Sequence, residues 1–130
     1  MPHITLEYSE NLEALLDVQG LCVALKDAAV ATGIFPPAGI RVRAIRAEHV
    51  VIADGDARHG FVDVMVRLGA GRSDADKTQA LDALFDAACG FTAAHMAAHP
   101  FMLSMELVEI DAALSRKTSS IRQYLPPEMH

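Results

Sequence analysis

The sequence predicts an α+β domain of two consecutive β-α-β units, forming a four-stranded mixed sheet with two helices on one face. Three observations predict it. Residues 3–8 and 61–68 alternate apolar and polar side chains with the period of a half-buried strand. Two longer stretches, beginning at Asp17 and at Ser73, each carry one apolar stripe at helical spacing. An extended stretch follows each helix, so the order is strand, helix, strand, strand, helix, strand. Split near residue 57, the 130 residues divide into halves of about 2–56 and 57–112 and a tail, 113–130. The halves repeat an architecture and share no obvious sequence identity.

In the first strand Ile4, Leu6 and Tyr8 share one face, with His3, Thr5 and Glu7 on the other. Residues 9–16 read as a polar connector. Asp17 then caps a helix whose apolar positions are Val18, Leu21, Cys22, Leu25, Ala28 and Ala29, stopped at Gly33 before Pro36 and Pro37. An extended segment from about Ile40 to Ile52 ends at the turn pair Asp54-Gly55. The polar loop from Gly55 to Gly60 suggests a hairpin with the next strand, where Val62, Val64, Val66 and Leu68 share a face. Ser73 and Asp76 make a capping-box-like start to the second helix. Its stripe runs Leu81, Leu84, Phe85, Ala88, Thr92, His95, Met96 and His99, and Pro100 ends it. Residues 102–110 form the last strand; from Ser115 the chain is a polar tail with Pro126-Pro127. With both stripes turned to one side of the sheet, the opposite face is expected to be apolar and to favour oligomerisation.

Composition narrows the function. Hydrophobic residues make up 52%, enough for a core. No apolar run approaches the ~18 residues that span a bilayer. The start lacks the basic and apolar stretches of a secretory leader, so a cytoplasmic location is expected. Seventeen acidic residues against eleven Lys and Arg leave a net charge of −6. That balance speaks against nucleic acid and anionic membranes as partners, yet allows a small anionic substrate where arginines gather. Trp is absent and aromatic residues are few, which argues against base-stacking platforms. Cys22 and Cys89 have neither C-x-x-C nor zinc spacing and read as buried free thiols.

Pro2 is the residue with most to offer chemically. Behind Met1 its nitrogen is an amide and no base. Once Met1 is removed, it is a secondary amine, and burial or nearby positive charge can bring its pKa toward neutrality. Arg41, Arg43 and Arg46 share one extended segment, with Arg41 and Arg43 on one face and Arg46 on the other. Such arginines either form a solvated face paired with the surplus acids or grip carboxylates bidentately. Gly69-Ala70-Gly71-Arg72-Ser73 closes a strand and opens a helix, the setting of a tight capped turn and of an anion site. It lacks both the Gly-Lys-Ser/Thr of a P-loop and the third glycine of a dinucleotide fingerprint. His95 and His99 have the i, i+4 spacing that allows a shared metal, but no third ligand is evident. His3 reads as an ordinary strand histidine next to Pro2.

Three segments together carry a resemblance. Pro-His-Ile-Thr-Leu-Glu-Tyr-Ser at residues 2–9, Thr32-Gly33-Ile34-Phe35-Pro36 leading into Ala38-Gly39-Ile40-Arg41, and Leu68-Gly69-Ala70-Gly71-Arg72-Ser73 occur in order across nearly the whole chain. They resemble the 5-carboxymethyl-2-hydroxymuconate Δ-isomerases, a family of the tautomerase superfamily whose members use an amino-terminal proline. The resemblance implies a cytoplasmic homotrimer of double β-α-β subunits that needs no metal and no organic cofactor. It implies a proton shift in homoprotocatechuate degradation, converting a dienol dicarboxylate with a carboxymethyl arm to its conjugated ketone. By the same resemblance Pro2 is the catalytic base and acid, and Arg41 and Arg72 hold substrate carboxylates and the 2-oxygen. Met1 is the departure from the pattern. Two other readings keep the fold: a tautomerase of another 2-oxo or 2-hydroxydienoate acid, and a trimeric binding protein without the chemistry.

Overall fold

In the computed structural model, which describes residues 2–130, the first strand takes a central place. β1 (His3–Ser9) pairs in parallel with β2 (Arg41–Ala47) and antiparallel with β3 (Gly60–Gly69). β4 (Phe101–Ile110) runs parallel to β3, giving the order β2-β1-β3-β4. The expected mixed four-stranded sheet is therefore present, while the expected hairpin between the second and third strands is not, because β1 lies between them. The burial of each strand explains this order. β1 and β3 turn complete apolar rows inward, Ile4, Leu6, Tyr8 and Val62, Val64, Val66, Leu68, all buried. β2 offers only Val42 and Ala44 before charged Arg46, a pattern suited to an edge.

β2 also ends sooner than the extended pattern through Ile52 predicts. Its last residue, Ala47, pairs with Ser9, after which β1 turns into the 3₁₀ segment Glu10–Leu12. Residues 48–52 thus have no strand beside them to complete a ladder.

Two helices cover one face. α1 (Val18–Ala31) starts at Asp17, whose side chain accepts from the Gly20 amide at 2.9 Å. It buries Leu21, Leu25 and Ala29, and ends before Gly33, whose φ of +69° suits glycine after a helix. α2 (Asp74–Ala98) begins at Ser73, whose Oγ accepts from the Asp76 amide. Its inward line is Ala80, Leu84, Ala88, Thr92 and His95. Phe85 and Met96, expected in that stripe, are 37% and 47% exposed. Small residues four apart let α2 lie close to α1 and β4, and Thr92 hides its hydroxyl on the Ala88 carbonyl at 2.8 Å. Replacing a side chain as buried as Leu84 with alanine costs roughly 2–5 kcal/mol.

The uncovered face is not apolar as expected. The strand registers put Arg41, His3, Arg67 and Val108 in one row, then Arg43, Thr5, Met65 and Glu106, then Ile45, Glu7, Asp63 and Ser104. Cations gather at the Pro2 end, and Glu7 with Asp63 lie further along. After β4 the tail forms three short 3₁₀ turns and is largely exposed, Leu114 at 84%. Among the described residues no helix is long and apolar enough to cross a membrane. Met1, whose removal the sequence reading of Pro2 requires, lies outside them.

Candidate active site

Pro2 sits where three chain segments meet at one end of the sheet. Its side chain is fully buried, and its carbonyl accepts a hydrogen bond from the Arg41 amide at 3.2 Å. That contact extends the parallel β1–β2 ladder by one residue beyond His3–Arg41. On the other side, His3 is level with Arg67, so continuing the antiparallel register sets Leu68 level with Pro2. Pro2 and Arg41 are thus neighbours, joined through the backbone.

Arg72 reaches the same end of the sheet by a tight turn. Gly71, at φ +109°, takes a conformation that L side chains rarely adopt. The chain then folds back, and Arg72 Nη1 donates to the Gly69 carbonyl at 3.0 Å. Its guanidinium carbon lies 5.1 Å from the centroid of Phe35, a buried residue in the loop between α1 and β2. Arg72 is thus braced by the end of β3 and by the Phe35 loop that leads into Arg41. The amides of the α2 start contribute less than the Gly-rich motif suggests. Ser73 already takes the Asp76 amide, and Asp74 and Asp76 place negative charge in the first turn. The cation available at this turn is the Arg72 side chain.

The electrostatics of this end are set by cations. Arg41, Arg43 and Arg67 surround His3, and its imidazole is pushed below the usual value by burial first, then by Arg41, Arg67 and Arg43. Arg41 Nη2 lies 3.0 Å from His3 Nε2. His3 is the residue that reading the sequence left aside. The pattern puts it on the open face, but only the β1–β2 register reveals that Arg41 stands beside it. Arg41 and Arg72 thus bring positive charge to the end of the sheet where Pro2 is buried, an arrangement chemically suited to an anion.

The other candidate residues do not join this site. Arg46 is on the core-side face of β2 at the far end, 3.9 Å from Glu13, which also accepts from the Tyr8 hydroxyl. His95 and His99 stack on each other with centroids 4.4 Å apart, and His95 packs edge-on against Phe101. Burial, then His99, lowers the pKa of His95, as expected of a packed histidine. Among the described residues no three His, Cys, Asp or Glu side chains group as metal ligands. Cys22 is half-buried and its thiol is pushed up by burial, whereas Cys89 is exposed, contrary to the expectation of two buried thiols. A cleft of about 550 Å³ lies at the opposite end of β1, bordered by Ser9, Asn11, Arg46, Glu48, Asp56 and His59.

The family described as 5-carboxymethyl-2-hydroxymuconate isomerase matches residues 2–125. A 5-carboxymethyl-2-hydroxymuconate Delta-isomerase of Escherichia coli is 35% identical over 121 residues, covering 93% of this chain and 96% of that one. The crystal structure of a 5-carboxymethyl-2-hydroxymuconate isomerase from Deinococcus radiodurans R1 superposes with a TM-score of 0.86 at 36% identity. It covers 96% of this chain and 95% of its own. A crystal structure of another 5-carboxymethyl-2-hydroxymuconate delta-isomerase has a TM-score of 0.89 at 28% identity, with coverage of 95% and 92%.

Proposed function

The chain belongs to the 5-carboxymethyl-2-hydroxymuconate isomerase family, and from that premise we propose that it isomerises 5-carboxymethyl-2-hydroxymuconate with the Pro2 amine as base and acid. The amine, free once Met1 is removed, takes the proton from the 2-hydroxyl oxygen of the dienol. The resulting dienolate carries its charge toward carbon, and the protonated Pro2 returns the proton there. One proton leaves oxygen, one arrives at carbon, and a conjugated ketone results with no other reactant consumed. An α-amino group titrates near ~8, and a ring amine is somewhat more basic. Burial and the cations at this end favour the neutral, basic form. Each unit of depression corresponds to about 1.4 kcal/mol.

Arg41 and Arg72 hold the anionic ends of the substrate, carboxylate and developing 2-oxygen, by charge-assisted hydrogen bonds. The observation that carries this reading is the burial of Pro2 in backbone contact with Arg41, at a cation-rich end of the sheet also reached by Arg72. We further propose that the subunit works as a homotrimer. The uncovered sheet face, cationic at one end and acidic further along, and a tail resting in solvent support association with other copies.

The test is kinetic, on enzyme shown by mass spectrometry to begin at Pro2. Rapid isomerisation of 5-carboxymethyl-2-hydroxymuconate, slower with an analogue lacking the carboxymethyl arm, is the expected result. Equal rates for both would move the substrate assignment to a simpler 2-hydroxydienoate. No rate above solvent would remove the reaction altogether.

A further inference from the structure

His3 stands between two arginines on the open sheet face, level with Arg41 on β2 and with Arg67 on β3. Its Nε2 is 3.0 Å from Arg41 Nη2. A guanidinium carries donors only, so the imidazole nitrogen at that distance must accept. An accepting Nε2 requires a neutral ring with its proton on Nδ1. The charged groups around the ring favour that form. Arg41 and Arg43 face it from β2 and Arg67 from β3, while Thr5, next on its own face of β1, is uncharged. Glu7 on β1 and Asp63 on β3 lie two rows away, and on β4 Val108 is level with Arg67, with Glu106 one row further. Burial, the three arginines and the amino terminus next to His3 in the chain all disfavour a second proton on the ring. Nδ1 is buried as well and meets no hydrogen-bond partner among the described residues. Arg41 is therefore the polar partner that orients this ring, and the ring in turn gives the Arg41 guanidinium a fixed acceptor.

We infer that His3 is a positioning residue, its neutral imidazole holding the Arg41 guanidinium in the orientation in which it meets a substrate carboxylate. The inference rests on the proposed role of Arg41 and adds to it a residue that need not touch the substrate. It carries a pH signature. A doubly protonated ring cannot accept from Arg41 and repels it, so Arg41 loses this acceptor as the ring titrates. The ring's pKa lies below its ordinary value of 6.5, so the effect belongs on the acid side of neutrality.

The test compares wild type, His3→Gln, His3→Leu and Arg41→Ala, all beginning at Pro2, with 5-carboxymethyl-2-hydroxymuconate as substrate and thermal melting as a folding check. Glutamine offers an oxygen that accepts but does not titrate; leucine offers neither. His3→Leu should raise KM about tenfold, with a smaller change in kcat, as expected for the loss of one hydrogen bond to a charged group. His3→Gln should recover most of that affinity. Wild-type KM should climb as the pH falls from about 6.5 toward 5, while the glutamine variant stays flat, since the substrate carboxylates remain ionised across that range. Should the leucine variant fail to fold, the pH comparison of wild type with His3→Gln decides by itself. An acid rise in KM of the same size in His3→Gln as in wild type, or in neither, would overturn the inference, as would an unchanged KM in folded His3→Leu. If Arg41→Ala raises KM and the His3 variants do not, only this inference fails. If Arg41→Ala leaves KM alone, the assignment of Arg41 itself is wrong.

Discussion

Truncating Arg72 to alanine separates what this residue does for the fold from what it does for the substrate. Two contacts vanish from the folded chain. One is the hydrogen bond to the Gly69 carbonyl, worth about 1 kcal/mol. The other is the guanidinium lying over Phe35, worth about 0.5–1 kcal/mol at a partly exposed position. Together they come to about 1.5 kcal/mol. With a melting entropy of about 2.1 cal/mol/K per residue, a chain of this length has roughly 0.27 kcal/mol/K, so Tm should fall by about 5 °C. The catalytic loss should be larger. Removing one side of a desolvated charge pair costs about 2–5 kcal/mol. At about 1.4 kcal/mol per decade, kcat/KM should drop by roughly 30-fold to 4,000-fold. Arg72→Lys restores the charge without the planar fork and should recover only about tenfold of that. The assay is a calorimetric melt at fixed protein concentration, beside steady-state kinetics monitored in the ultraviolet. A Tm lowered by ~5 °C with kcat/KM within about threefold of wild type would refute the substrate role. Arg72 would then be no more than a brace for the turn.

Two further outcomes test the description of the fold. Gly60→Ala places a Cβ 2.9 Å from Leu12 Cδ2 and 3.3 Å from Ser9 Oγ, and Leu12 is buried, so stability should fall by about 1–3 kcal/mol. The site lies at the far end of β1 from Pro2, so the catalytic constants of the folded variant should hold; an unchanged melt would mean that Leu12 has room to swing aside. A thiol reagent at pH 8 should label Cys89 quickly and Cys22 slowly, because burial raises the Cys22 pKa and shields the sulfur. Cys89→Ala should abolish the fast phase, and loss of that phase in Cys22→Ala instead would contradict the assignment.

Much of this architecture was legible in local patterns. The alternation at Ile4, Leu6, Tyr8 and at Val62 to Leu68, and the caps at Asp17 and Ser73, each depend on neighbours a few residues away. What escaped was long-range. Whether β2 pairs with β3 or with β1 depends on which strand buries its row more completely, and β2, interrupted by Arg46, goes to the edge. Phe85 and Met96 fit a helical stripe but lose the inner line to Ala80, Leu84 and Ala88, which permit closer packing. The polarity of the open face follows from register: Arg41, Arg43 and Arg67 come together only once β1 is set between β2 and β3. The candidate site divides in the same way. Pro2, Arg41 and Arg72 were suggested by motif, whereas the bond between His3 and Arg41 needs the parallel pairing of residues 38 positions apart.

The measurement that bears most directly on the account is the isomerisation rate of enzyme beginning at Pro2, set against the same enzyme retaining Met1. This pair is sharper than Pro2→Ala, because an alanine exposed at the terminus is still an amine, whereas Met1 turns the Pro2 nitrogen into an amide with no basic lone pair. The rate should be lower by about 10²–10⁴ with Met1 in place, the usual contribution of a general base. Equal rates from the two forms would contradict it and place the proton-transferring group elsewhere.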